Sequence, residues 1–336
     1  MGWRGFELIA AAWVCSAALI MLMLPMFRRY ALARPNARSS HTIPTPQGGG
    51  LAVILAMMIA LGANILLVGP ELTVPSDMLP LGAAVVLLTV VGAADDIFPL
   101  SPSLRLGVQA VAVTLAVSTM PEELRALPVV PVPIERAVEI LAGLWFVNLV
   151  NFMDGLDLMT AAEVVPVTFA LLLLGLSGAF PEMPAVVATA LCGAMLGFAP
   201  FNRPVAKVFL GDVGSLPIGL LLGWCLLQLA WHQQLVAALL LPLYYLADAT
   251  ITLFRRVARR EPFWIAHRSH FYQRATDNGF TVPRVISEVF ALNLVLALLA
   301  VATVRFSSTI VTTLALLSGA IAVGAVLRRF SGYGKS

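Results

Sequence analysis

The chain has 336 residues, 60% of them hydrophobic and only 12% charged, with a formal net charge of +3 and a mean hydropathy of +0.91. Soluble domains carry about 25% charged residues, so this composition excludes an ordinary soluble enzyme and points to a protein whose solvent is lipid. The positive excess lies in short loops between apolar segments, which marks one face of a membrane and excludes a nucleic-acid surface.

Between the bunched charges run apolar stretches close to the ~20 residues that a helix needs to cross a ~30 Å hydrocarbon core. The backbone must satisfy its own hydrogen bonds there, and no alternating barrel pattern is present, so the stretches are expected to be helices. In chain order the spans are expected near 6–27, 48–69, 79–94, 104–120, 137–153, 161–179, 184–200, 215–231, 235–254, 287–304 and 309–327. The expected fold is an all-α polytopic membrane helix bundle of about eleven transmembrane helices, one domain over 1–336. Pro166, Pro217 and Pro242 fall inside spans, which a bundle tolerates. The first span is too long for a cleaved signal peptide, and its Arg28-Arg29 pair follows the apolar run instead of preceding it. Cys15, Cys192 and Cys225 are isolated within spans and read as packing residues.

Orientation follows from the basic residues. With the N-terminus outside, all of the 21 lysines and arginines except Arg4, Arg125, Arg136 and Arg305 fall on inside loops. That bias places the N-terminus outside and the C-terminus in the cytoplasm. Every polar cluster with chemical character then falls on the inside. The outside loops, such as "PEELRALPVVPVPIER" and "WHQQ", show no repeated polar chemistry.

Four clusters follow one another along the chain. Asp95-Asp96 ends an apolar segment, where the helix macrodipole is already negative and like charges repel. The pair is either a solvated flank or a site for a divalent cation or a base. Next, Asn148, Asn151 and Asp154 recur every three residues before Gly155 and Asp157, putting polar groups on one helical face. Such groups bond between helices or build a site. In Phe209-Leu210-Gly211-Asp212-Val213-Gly214-Ser215, glycines flank one aspartate and allow positive φ and close backbone approach. Ser215 is placed to cap a following helix whose N-terminus suits a phosphate, although an ordinary turn would read the same. The fourth, Ala266-His267-Arg268-Ser269-His270-Phe271-Tyr272-Gln273, holds two of the four histidines and an arginine fork suited to phosphate oxygens. Neither a cysteine nor a third nearby histidine completes a zinc site.

The order DD, NxxNxxDGxD, FLGDxGS and a histidine-containing last loop resembles the polyprenyl-phosphate N-acetylhexosamine-1-phosphate transferase family. The likeness extends to Arg38-Ser39-Ser40-His41 and Pro44-Thr45-Pro46-Gln47-Gly48-Gly49 near the start. It implies an integral enzyme of the bacterial inner membrane, active on the cytoplasmic side. Such an enzyme loads an N-acetylaminosugar-1-phosphate from a UDP-sugar onto undecaprenyl phosphate. The resemblance assigns Asp212 and Asn151 to Mg²⁺, with Mn²⁺ as a substitute. Asp95, Asp96, Asp154, Asp212 and His270 become the catalytic set, and Arg105, Asn148, Asp157, His267, Arg268 and His41 the substrate-binding set. Pairing of two copies into a homodimer stays open.

The chain departs from the family pattern at three places. Many relatives read DGxDGL where this sequence has Asp157-Leu158-Met159, and many carry further histidines where it has Tyr272 and Gln273. Ile97-Phe98-Pro99 replaces the early lysine of the muramoyl-pentapeptide members, whose histidine triplet is also missing. Both changes point to a simpler aminosugar such as GlcNAc, QuiNAc or FucNAc, used for O-antigen or a similar surface glycan. The rival reading is a lipid-linked-sugar flippase or other transporter, which needs polar groups near the midplane; Asp248 is its best candidate.

The orientation is open to direct test. Single cysteines in the loop 178–184 are expected to react with an impermeant thiol reagent on intact cells, and a cysteine at Arg259 only after lysis. The opposite pattern would invert the protein.

Overall fold

The structure is a computed structural model that describes residues 4–33, 44–68, 78–121, 123–262 and 267–332. His41 and the arginines at 34 and 38 lie outside the described residues, as do Phe263 and Trp264. Helices dominate, in the order α1 (Arg4–Tyr30), α2 (Gly49–Val68), α3 (Met78–Ile97), α4 (Pro102–Val117), α5 (Val132–Met153), α6 (Met159–Leu176) and α7 (Glu182–Phe198). They continue as α8 (Asp212–Trp231), α9 (Leu235–Leu240), α10 (Leu243–Ala258), α11 (Phe271–Asp277), α12 (Val282–Phe306) and α13 (Thr309–Phe330). Two short strands, β1 (Leu32–Ala33) and β2 (Thr45–Pro46), pair antiparallel.

All eleven expected spans are helical, but the count of full-length spans is smaller. Among the described residues nine helices are long and apolar enough to cross a membrane, and α4 is a shorter apolar helix. The expected span at 235–254 is broken into α9 and α10 at Pro242. Proline lacks the amide proton for the helical ladder, and its ring crowds the carbonyl four residues back. The prolines at 166 and 217 stay within continuous helices.

Burial separates the centre of the bundle from its rim. The membrane windows of α6, α7 and α8 are 72%, 78% and 83% buried, against 22% for α1 and α13. A helix that is apolar all round and buried belongs to the core of the bundle, whereas one with a bare apolar side faces lipid. Leu22, Leu298, Ile310 and Ile321 are among the exposed apolar side chains of the outer helices. Deep in the bundle, Asn293 of α12 donates to Glu163 of α6 at 2.7 Å and to the Ala162 carbonyl at 3.0 Å.

The two ends differ in construction. One end gathers the C-termini of α3, α5 and α10 and the N-termini of α4, α6, α8 and α11. At the other, Arg125 pairs with the buried Glu135, which also accepts from the Leu127 amide. There too Arg136 pairs with Glu139 and lies over the Trp231 ring, and the indole N–H donates to Glu139. Arg125 and Thr119 of the loop after α4 are turned inward, the first to Glu135 of α5 and the second accepting from the Trp224 indole of α8, and hold the loop onto both helices. Arg125 of the loop pairs with Glu135 of α5, and Arg136 with Glu139 within α5, so these buried charges persist because they are paired.

Around the first end, backbone approaches are close. Gly49 and Gly50, at the start of α2, donate to the carbonyls of Phe209 and Leu210. A Cβ on Gly50 would lie 2.1 Å from Cα of Gly214 in α8. No side chain fits at that distance. Gly50→Ala is therefore expected to lower the apparent Tm of the detergent-purified protein by several degrees or to abolish its monodisperse peak. Gly62→Ala on the same helix, where a Cβ meets nothing within 4 Å, leaves both unchanged. Equal Tm values for the two variants would refute this packing.

Candidate active site

Four helices converge on Asp212, the first residue of α8. Asn151, near the end of α5, donates to Asp212 Oδ1 at 2.8 Å and to the Ser215 hydroxyl at 2.8 Å. Arg105 of α4 reaches Asp212 Oδ2 at 3.4 Å and Asp95 Oδ2, from α3, at 2.6 Å. The second oxygen of Asp95 accepts from the Leu100 amide at 2.7 Å, which fixes the turn between α3 and α4. One arginine thus bridges two carboxylates that lie more than a hundred residues apart.

Asp96 has a different position from its neighbour. Its two oxygens accept from the backbone amides of Asp212 and Val213 at 2.9 and 3.1 Å. The N-terminus of α8 is therefore filled by a carboxylate from α3, which complements the positive end of the helix dipole. It is not left open for a phosphate, and Ser215 is not its cap. The helix begins three residues earlier, with Gly211 at φ 77° in the cap position, and the Ser215 hydroxyl faces Asn151. A Cβ on Gly211 would meet Asp96 Oδ2 at 2.4 Å, and one on Gly92 would meet the Asp212 carbonyl at 2.3 Å. The close approach expected of the glycines beside Asp212 is present at Gly211 and Gly214. Gln47, unassigned from the sequence, donates to the Asp96 carbonyl at 2.7 Å and ties the segment after β2 to the end of α3.

The three polar residues of α5 do not meet at one point. Steps of three residues turn back about 60° on a helix, so each residue addresses a different neighbour. Asn148 donates to Gln109 of α4 at 2.7 Å, making the interhelical bond that was one reading of this cluster. Asn151 meets α8. Asp154, which ends α5, accepts from the Thr160 hydroxyl at the start of α6. Burial pushes the Asp154 carboxyl up to about 7, and the charges of Asp96 and Asp157 add to the rise.

Asp157 accepts from the Ala206 amide at 3.1 Å, and Asn202 accepts from the Leu158 amide at 2.6 Å. These two bonds join the 154–158 turn to the loop before Asp212. Leu158, where many relatives have glycine, has φ 65°. The departure therefore keeps a left-handed backbone, at the ~1–2 kcal/mol strain that a non-glycine residue incurs there.

The last loop forms a second group of residues. His270 is nearly buried, with Nδ1 3.1 Å from Oδ1 of Asp248. Its ring stacks on those of His267 and Tyr272, with centroids 4.9 and 5.7 Å away. His267 bonds Ser269 through Nδ1 at 2.8 Å. Burial, together with the neighbouring His270 and the Arg256 charge, lowers the His267 imidazole to about 4, so the ring is neutral at physiological pH. Burial also drives the Tyr272 phenol well above its ordinary value, and its hydroxyl donates to the Phe152 carbonyl at 3.0 Å. A Cβ on Gly155 would collide with that hydroxyl at 2.1 Å. The C-terminal end of α5 therefore joins the two groups, with Asn151 in contact with Asp212 and Phe152 beside His270.

Arg268 stands apart, turned toward Thr276 and Asp277 at 3.1 Å each. Asp248, which a transporter would need at the midplane, is bound to this last loop. Gln109, Thr160 and Asn202 join the constellation although no sequence motif marked them, and Gln47 joins it from the early segment of the likeness, where it had no assigned role. Single polar residues in loops or spans announce nothing until their partners are known.

Residues 78–230 match the model of glycosyl transferase family 4. A decaprenyl-phosphate N-acetylglucosaminephosphotransferase of Mycolicibacterium smegmatis is 30% identical over 82% of this chain and 76% of its own length. A protein of Bacillus subtilis named "Probable undecaprenyl-phosphate N-acetylglucosaminyl 1-phosphate transferase" is 24% identical over 87% and 84%. A phospho-N-acetylmuramoyl-pentapeptide-transferase of Gluconobacter oxydans is 30% identical over 78% and 79%.

The raised Asp154 carboxyl sets a pH dependence. An unfolded aspartate loses its proton near 3.9, whereas the folded one keeps it up to about 7. Between those values the folded state binds more protons, so stability falls as pH rises. Asp154→Asn, whose amide oxygen still accepts from Thr160, is expected to flatten the fall in apparent Tm across about pH 5–7. An unchanged slope would mean that Asp154 is already ionised in the folded protein.

Proposed function

The chain belongs to glycosyl transferase family 4, and from that premise we propose that it transfers an N-acetylaminosugar-1-phosphate from a UDP-sugar to undecaprenyl phosphate, releasing UMP. In this reading residues 1–336 form one integral transferase domain in the bacterial inner membrane, with the site facing the cytoplasm. Its product would start a lipid-linked surface glycan of the O-antigen type. The observation that carries the reading is the convergence of Asp95, Arg105, Asn151 and Asp212 from four helices at one end of the bundle.

Mg²⁺ fits this cluster on chemical grounds. Among the described residues no group of three or more histidine, cysteine, aspartate or glutamate side chains could hold a metal by itself. Mg²⁺ does not require one, since it keeps several waters and binds through one or two carboxylates together with substrate phosphates. Asp212, a quarter exposed, would supply the carboxylate and Asn151 the neighbouring amide. When bound, the ion would offset the negative charge of the donor diphosphate.

The remaining work falls to the chain itself. The lipid phosphate has a second pKa near 6 and is mostly dianionic at neutral pH, so repulsion between anions is the main obstacle, not proton removal. Arg105, one-third exposed, is the cation at the centre of the cluster and can face a phosphate. An oxygen of the lipid phosphate would bond to the donor's β-phosphorus, while the bond from that phosphorus to the bridging oxygen breaks and UMP leaves with the oxygen. Asp95 has both oxygens engaged, by Leu100 and Arg105. A carboxylate held in this way is a poor nucleophile, which favours direct attack over a covalent aspartyl intermediate.

Two features support a simple aminosugar. Tyr272 and Gln273, in place of further histidines, are buried packing groups. Ile97 and Phe98 are exposed apolar side chains where the muramoyl-pentapeptide members have a lysine nearby.

Purified protein is expected to release UMP from UDP-GlcNAc, or from a 6-deoxy relative, only when both undecaprenyl phosphate and Mg²⁺ are present. Asp212→Asn should lower turnover by at least about 10³-fold while the protein purifies normally. Full activity in EDTA, or in that variant, would remove the metal assignment. Exchange of labelled UMP into UDP-sugar without a lipid acceptor would overturn direct attack.

A further inference from the structure

We propose that Asp248 is the positioning residue of His270, fixing which ring nitrogen the last loop presents to substrate. The proposal rests on the transferase reading of the His270 loop.

Asp248 is fully buried in α10, one and a half turns after the break at Pro242. Every polar partner it has is a donor. From its own helix, Tyr244 donates to Oδ2 at 3.2 Å and Thr252 lies 3.4 Å from Oδ1. From the loop, the amides of Phe271 and Tyr272 donate to Oδ1 and Oδ2 at 3.0 and 3.1 Å, and His270 Nδ1 lies 3.1 Å from Oδ1. His270 is the cap residue of α11, yet its own side chain does not cap the helix. The carboxylate from α10 takes that place and grips the imidazole with the same oxygen.

The arrangement determines the tautomer. A carboxylate carries only acceptors, so the facing Nδ1 must hold a proton, and in the neutral ring Nε2 keeps the lone pair. Stacking on His267 and Tyr272 fixes the ring plane. With both tautomer and plane set, Nε2 is the ring atom left to accept a proton from a phosphate or, once protonated, to donate to a phosphate oxygen. A cap alone would not need this residue. The Ser269 hydroxyl is next to the helix start, but it is bonded to His267. Asparagine at 248 could accept through one atom only, and its NH₂ would face donors, so it should release Nδ1 and permit the other tautomer. Outer partners that orient a working histidine are typically worth 10–100-fold in function.

The test has two arms. ¹⁵N NMR of histidine-labelled wild-type protein, with the His270 signals identified by their loss in His270→Gln, is expected to show Nδ1 protonated and Nε2 bare. In Asp248→Asn the pattern should reverse or become mixed. In the kinetic arm, Asp248→Asn should lower kcat about 10–100-fold with KM for the donor changed less than about threefold, and should cost less than about threefold in a His270→Gln background. Two results would overturn the proposal: a wild-type ring protonated at Nε2, or equal losses from Asp248→Asn with and without His270. If Asp248→Asn fails to fold, the wild-type spectrum still decides. If wild-type protein releases no UMP, the transferase reading fails while the NMR arm tests the Asp248–His270 pair independently.

Discussion

The carboxylate of Asp96 on the first two amides of α8 is the contact on which the site depends. It joins the negative end of one membrane helix to the positive end of another and satisfies backbone donors that the helix itself leaves without partners. Glycine at 92 and at 211 is needed because a Cβ at either position would fall inside the contact. With α8 docked in this way, Asp212 is presented to Arg105 and Asn151, and the three helices α3, α5 and α8 are locked at one height. An adjacent pair of aspartates therefore divides its work. Asp96 builds the floor, and Asp95 faces the cation above it.

The same device recurs at the last loop, where Asp248 receives the first amides of α11. In both places a carboxylate from a neighbouring helix supplies the cap that the local sequence lacks. A buried carboxylate is costly unless its oxygens are matched by donors, and here each is matched by backbone amides that would otherwise be orphaned. The cost of one group offsets the cost of the other, which explains how so apolar a bundle tolerates acidic side chains inside it. At the opposite end Glu135 and Glu139 solve the same problem with arginines and an indole, and they close the loop there instead of opening a site.

The C-terminal end of α5 connects the two groups. Its polar residues, spaced by three, fan across α4, α8 and α6 in turn. Phe152 and Gly155 then accept the aromatic body of Tyr272 from the last loop. The turn that follows is held by Asp157 and Asn202 to the loop leading into Asp212. Leu158 takes a left-handed conformation in this turn without being glycine. A change at any of these residues should be felt by both groups.

The amino-acid sequence by itself determined the membrane class, the helical character of the eleven segments and the gathering of the polar clusters at one end of the bundle. Each of these follows from hydropathy over about twenty residues and from the distribution of arginine, properties that are local or additive along the chain. It also singled out Asp95, Asp96, Asn151, Asp212 and His270, because carboxylates, amides and imidazoles stand out against apolar surroundings. Only the tertiary structure decided what each group does. Pro242 breaks its segment whereas Pro166 and Pro217 do not, a difference that hydropathy does not encode. The Asp96 bonds to α8, the partner of Asn148 and the loop donors on Asp248 are contacts between residues from about twenty to more than a hundred positions apart. A side chain's type sets what it can bond, but the partner that reaches it is fixed by how the helices dock, and no spacing within a single segment carries that information.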